Sequence, residues 1–115
     1  MDIGKTIDVS SRNGWRKWLD KNHDKEQEIW IVFYKKTTGK QTLFLMEAMD
    51  EAICFGWIDS IEKGIDKERF ALRFTPRRTK SNWSKPNIER ARRLIAEGKM
   101  TKAGFDKLPD EAKLV

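Results

Sequence analysis

The run Ile29-Trp30-Ile31-Val32-Phe33-Tyr34 is apolar at all six positions. In an extended strand Trp30, Val32 and Tyr34 share one face and Ile29, Ile31 and Phe33 the other, so both faces need cover. A strand over Glu28 to Lys36 therefore belongs inside a sheet, with other parts of the chain packed on each side. The run is far short of the ~20 residues a membrane helix needs, so no membrane insertion is expected.

With 115 residues the chain has the size of one domain, and no repeat, low-complexity run or Pro/Ser-rich linker sets a boundary before about Leu108. Bulky side chains make a core feasible: five Trp and six Phe stand in a sequence that is 38% hydrophobic and 37% charged. Asp2 and Asp8 in the opening segment, with no apolar run beside them, differ from a secretory signal, and a cytoplasmic location is expected. One cysteine allows no internal disulfide, and with one histidine it falls short of a four-ligand structural zinc site without carboxylate help. Neither metal nor cofactor is expected.

The flanking elements follow from spacing. Ser10 or Ser11 caps a helix running to about Asn22, with Trp15, Trp18 and Leu19 on its buried stripe. A second helix from about Thr42 places Ala48, Met49, Ala52 and Ile53 inward and stops at Gly56. Trp57 to Glu62 and Arg69 to Thr75 read as a strand pair joined through Lys63-Gly64-Ile65-Asp66, with Asp59 facing Arg73 across it. Ser84 caps a third helix that ends at Gly98, with Ile88, Ala91, Leu94 and Ile95 inward and Arg90 and Arg93 outward. Thr101 to Lys107 adds a short helix. The expected architecture is α+β: a small, largely antiparallel sheet of about three strands packed with three to four helices.

Charge is unevenly placed. Met1 to Glu62 holds nine Lys/Arg against eleven Asp/Glu, whereas Lys63 to Lys102 holds thirteen against four, so one stretch of forty residues carries the basic excess of a chain with net charge +6. Such a stretch fits a surface that meets phosphate, carboxylate or an acidic partner, and equally a well-solvated helix and hairpin. Within it, Arg77, Arg78 and Lys80 precede the helix opening at Ser84, Lys85 and Asn87. Arginine pairs bidentately with phosphate, the first turn of a helix offers backbone N–H groups, and Trp83 supplies a ring for stacking. Trp57 is the second aromatic wall of this candidate anion site. The plainer reading makes Ser84 only an N-cap and both tryptophans core.

Asp59 is the one weak candidate for a catalytic base, against a salt bridge to Arg73 extended to Arg77. Cys54 with His23 as base and Asp59 as orienting group would form a nucleophilic triad, but a cysteine ending an apolar helix is usually a small buried hydrophobe. The leading expectation is a non-enzymatic binding domain for nucleic acid or another phosphate-bearing partner. The alternatives are an enzyme acting on a small phosphorylated or carboxylated metabolite, and a protein-interaction module.

The residues Trp15-Arg16-Lys17-Trp18-Leu19, Trp30 to Lys36, Cys54-Phe55-Gly56-Trp57-Ile58-Asp59, Phe74-Thr75-Pro76-Arg77-Arg78 and Ser81-Asn82-Trp83-Ser84-Lys85, with the helix ending Leu94 to Thr101, resemble the YdeI/OmpD-associated family of bacterial proteins. The resemblance spans about Arg12 to Phe105. It implies an α+β domain and links to bacteriocin protection, stress tolerance and an outer-membrane porin, without a demonstrated reaction and without catalytic residues. Longer members continue into a Lys/Arg-rich C-terminal helical segment that this sequence lacks, so functions resting on that segment are not expected of it.

Overall fold

Ser11 opens the first long helix by accepting a hydrogen bond from the Gly14 N–H, and the helix α1 covers Arg12–Asn22. In the computed structural model, which describes residues 2–40, 43–78 and 81–113, a short strand β1 (Thr6–Ile7) precedes α1 and β2 (Ile29–Tyr34) follows it. A single 3-10 turn at Lys36–Thr38 leads through Gly39, at φ 70°, toward the helix α2 (Leu45–Cys54). Thr42, the expected start of that helix, lies outside the described residues. Phe44 occupies its N-cap position and has no side-chain acceptor to offer; Glu47 instead reaches back to the Phe44 N–H.

Gly56, at φ 76°, turns the chain from α2 into β3 (Trp57–Gly64), which pairs antiparallel with β4 (Arg69–Pro76). Helices α3 (Lys85–Ala96), α4 (Lys102–Phe105) and α5 (Asp110–Lys113) complete the order. The sheet runs β1-β2-β4-β3, with β1 parallel to β2 and the other pairs antiparallel. The α+β class is as expected, with four strands rather than about three. The additional one is a two-residue strand too short to leave a periodic signal.

Ile29 to Phe33 are all buried, which meets the demand for cover on both faces of β2. One face, with Ile29, Ile31, Phe33, Leu72 and Phe74, packs on Trp15 and Leu19 of α1, Ala52 and Ile53 of α2, and Ala91 and Leu94 of α3. Gly4 lies against the Trp30 indole on the opposite side, and the Trp30 backbone N–H donates to the Lys5 carbonyl at 3.0 Å. Trp57 is core: it meets Trp18 edge-on at 5.7 Å and donates its indole N–H to the His23 carbonyl.

Two expected side-chain placements are corrected. The β3–β4 register sets Asp59 opposite Phe74, and Arg73 bonds to Glu28 on β2's approach and to Ser60 instead of Asp59. Pairing at the turn, Gly64 with Phe70, lies two positions beyond the register that would face Asp59 with Arg73, and the extra residue in β3 between Asp59 and Glu62 recovers one of them; the remaining offset is enough to send a side chain to the other face. Arg90 and Arg93 do not point away from the fold; both bond Asp50 of α2. Met49, expected inward, is half-buried.

Candidate functional site

β4 ends at Pro76, and the next residue is clamped by its backbone, because the Arg77 N–H donates to the Gly56 carbonyl at 2.8 Å. Its side chain turns inward and is only 3% exposed. The guanidinium carbon lies 3.8 Å from the centre of the Trp83 ring, and one terminal nitrogen donates to the Ser81 hydroxyl at 3.2 Å. No hydrogen-bond partner meets its Nε. Burial lowers the Arg77 pKa, and the nearby Asp59 carboxylate opposes that shift. A cation in this position is held by an aromatic face and a diffuse field rather than by an ion pair.

Asp59, Arg77, Asn87 and Trp57 do converge, on a cavity of about 10 Å³. That is room for roughly one water molecule. Arg78, the neighbouring residue, is exposed, so the two adjacent arginines diverge, as successive residues of an extended backbone do. At the start of α3 the Ser84 hydroxyl accepts from Asn87 N–H, the Ser84 carbonyl accepts from Ile88 N–H, and Pro86 has no N–H. Few donors are left at this helix end for an anion. Lys80 lies outside the described residues. The expected pocket of paired arginines, helix turn and two stacking rings is therefore corrected. Arg77 and Trp83 engage each other, Trp57 is core, and Arg78 and Lys85 face solvent.

Asp59 has no substrate-sized space beside it. The nucleophile reading of Cys54 fails chemically: the residue is fully buried, and burial, with Glu51 adding to it, pushes its thiol up to about 11. His23 Nδ1 sits 2.8 Å from the Leu19 carbonyl, and its ring packs on Phe55.

A second constellation was not foreseen. Asp50 and Glu51 of α2 are 5% and 1% exposed, and four arginines from two helices surround them. Arg12 and Arg16 of α1 hold Glu51, the latter at 2.7 Å, while Arg90 and Arg93 of α3 hold Asp50 at 3.3 and 2.9 Å. Burial pulls the Arg12 and Arg16 pKa values down, and the hydrogen bond to Glu51 together with the negative field of Glu51 and its neighbours more than reverses it. Arg16 also donates to the Lys99 carbonyl after α3. The i, i+4 spacing of Arg12 and Arg16 and the adjacent acids Asp50-Glu51 were visible in the sequence, but their meeting depends on helix packing.

Elsewhere in the basic stretch, Arg69 is bound to Asp66, whose pKa is lowered first by that side-chain hydrogen bond and then by backbone N–H donors. Lys63, Lys67, Arg78 and Lys85 make no ion pair among the described residues. A cleft of about 470 Å³ opens between the end of β2, the 3-10 turn and the start of α2, walled by Phe33, Leu43, Phe44 and Phe70 and bordered by Lys35 and Lys36. Its sequence signal, Phe44-Leu45-Met46 directly after a lysine-rich loop, reads equally well as an ordinary helix start.

These features define a small α+β domain in which Arg77 is internal and an apolar cleft is bordered by lysines. Over residues 7–107 the chain matches the family described as Domain of unknown function (DUF8412), and it belongs to that family. No curated protein and no solved structure matches it. No helix among the described residues is long and apolar enough to cross a membrane.

Proposed function

We propose that this domain is a non-catalytic binder of an extended polyanion, with nucleic acid as the partner class. The observation that supports the reading is the position of four cations of the basic stretch that make no ion pair among the described residues. Lys63 and Lys67 flank the turn end of the β3–β4 hairpin, whereas Arg78 and Lys85 follow its open end. The eight residues of β4 between them span about 26 Å at ~3.3 Å per residue. A small phosphate metabolite cannot reach both ends, while a nucleic acid strand offers a charge every few ångströms. The one-water cavity beside Asp59 argues the same way, against an enzyme for a small anionic substrate. A cytoplasmic location is part of this reading.

Fluorescence anisotropy with labelled single- and double-stranded oligonucleotides at 50 and 200 mM salt tests it. If the four cations each neutralise a phosphate, the slope of log affinity against log salt is about −3 to −4. Absence of binding at the lower salt, or a slope near zero, would reject the proposal.

A further inference from the structure

The cleft beside α2 combines two properties. Its accessible apolar lining is Tyr34, Phe44, Leu45 and Phe70, the Phe70 ring stacked at 5.3 Å on that of Phe33, which with Leu43 forms a floor already almost fully buried. Its lip is an apolar pair left in water: Phe44 is 67% and Leu45 43% exposed. Isolated exposed apolar residues are normal, but two in a row at the mouth of an apolar cavity mark a binding surface.

The charge at its border is one-sided. Lys35 and Lys36 line the cleft and make no ion pair among the described residues, and Lys40 also lines it, held over the Tyr34 ring and by Glu68. Among the described residues no carboxylate lines the cleft. Glu68 is held by Lys40, and Glu47 accepts from the Phe44 N–H. An occupant that covers the rings and lip and also neutralises Lys35 and Lys36 must have an apolar body with an anionic end. The volume, about 470 Å³, lies in the range of small-molecule sites.

We propose that this cleft binds a soluble amphipathic carboxylate of the fatty-acid class, its chain against Tyr34, Phe44, Leu45 and Phe70 and its head toward Lys35 and Lys36. The inference rests on the cleft alone and is independent of polyanion binding, which uses residues outside it.

The test is a titration of isotopically labelled full-length protein with octanoate, decanoate and decanol below their aggregation limits, read from backbone amide shifts. Saturable shifts at Phe33, Gly39, Leu43 and Phe70 are expected, with affinity rising up to about fourfold per added methylene. Decanol is expected to bind at least fivefold more weakly than decanoate, and the Lys35→Glu/Lys36→Glu variant to lose that difference. Phe44→Ser, at an exposed position that leaves the core intact, is expected to weaken both ligands. Shifts that do not saturate, that map elsewhere, or that are equal for decanoate and decanol would overturn the assignment. So would a dimer in sedimentation velocity that Phe44→Ser dissociates, because a second copy of the chain would then be the occupant.

Discussion

The guanidinium of Arg77 lies 3.8 Å over the Trp83 ring with only 3% of the residue exposed, so the most conspicuous arginine of the basic stretch is a structural member. A buried cation without a carboxylate bridge carries a desolvation cost that a hydrophobic residue of similar length avoids. Arg77→Met is therefore expected to keep the fold, to leave stability unchanged or higher by about 1 kcal/mol in urea denaturation, and to leave nucleic acid affinity within twofold. Arg78→Ala and Lys85→Ala, in contrast, are each expected to reduce the salt slope by about one. Equal losses of affinity at Arg77 and Arg78 would contradict this division.

Glu51 joins α1 to α2 through two arginines while being 1% exposed. Glu51→Gln removes the negative charge and leaves both guanidinium groups facing a buried amide. Because the arginines are partly solvated, the expected loss is about 2–3 kcal/mol, at the lower edge of what breaking a buried pair costs. The urea midpoint measures it, and a change under 0.5 kcal/mol would show the network to be dispensable.

Gly104 of α4 rests directly on the end of α2. A Cβ there would stand 2.2 Å from the Cys54 carbonyl oxygen, whereas one on Gly39 would meet nothing within 4 Å. Gly104→Ala must push two backbones apart and is expected to cost about 2–3 kcal/mol. Gly39→Ala faces only the left-handed backbone preference, about 1 kcal/mol. Thermal melts of the two variants should rank them in that order.

Cys54 links stability to alkaline pH. Its folded thiol titrates at about 11 against 9.0 for the free side chain, so the unfolded chain releases its proton first. The stabilising contribution is intact below pH 9 and declines as pH rises toward 11, by at most about 1.4 kcal/mol per pH unit. Cys54→Ala is expected to flatten that part of the stability profile. The native protein is also expected to resist thiol alkylation at pH 8, and rapid labelling would refute the burial argument.

Strong local signals made much of the fold readable. The Ser11 and Ser84 caps, the double-sided apolar run of β2, the Gly56 stop and the hairpin each depend on a few neighbouring residues and fell within about three positions of their expected limits. Less was readable in the site. Arg77 and Trp83 do meet, yet adjacency in the chain does not say which of two arginines faces inward. The hairpin register put Phe74 rather than Arg73 opposite Asp59 and left Arg73 to Glu28, and helix packing brought Asp50 within reach of Arg90 and Arg93.

By itself, then, the sequence determined the α+β class, the order of the main elements and the segment that carries the basic excess, because hydrophobic period, caps and turns act over a few residues. The tertiary structure alone decided which charges are neutralised inside and which remain at the surface, and where the apolar cleft opens. Those outcomes turn on contacts between residues about forty positions apart, set by how helices and strands pack, and no local pattern encodes them.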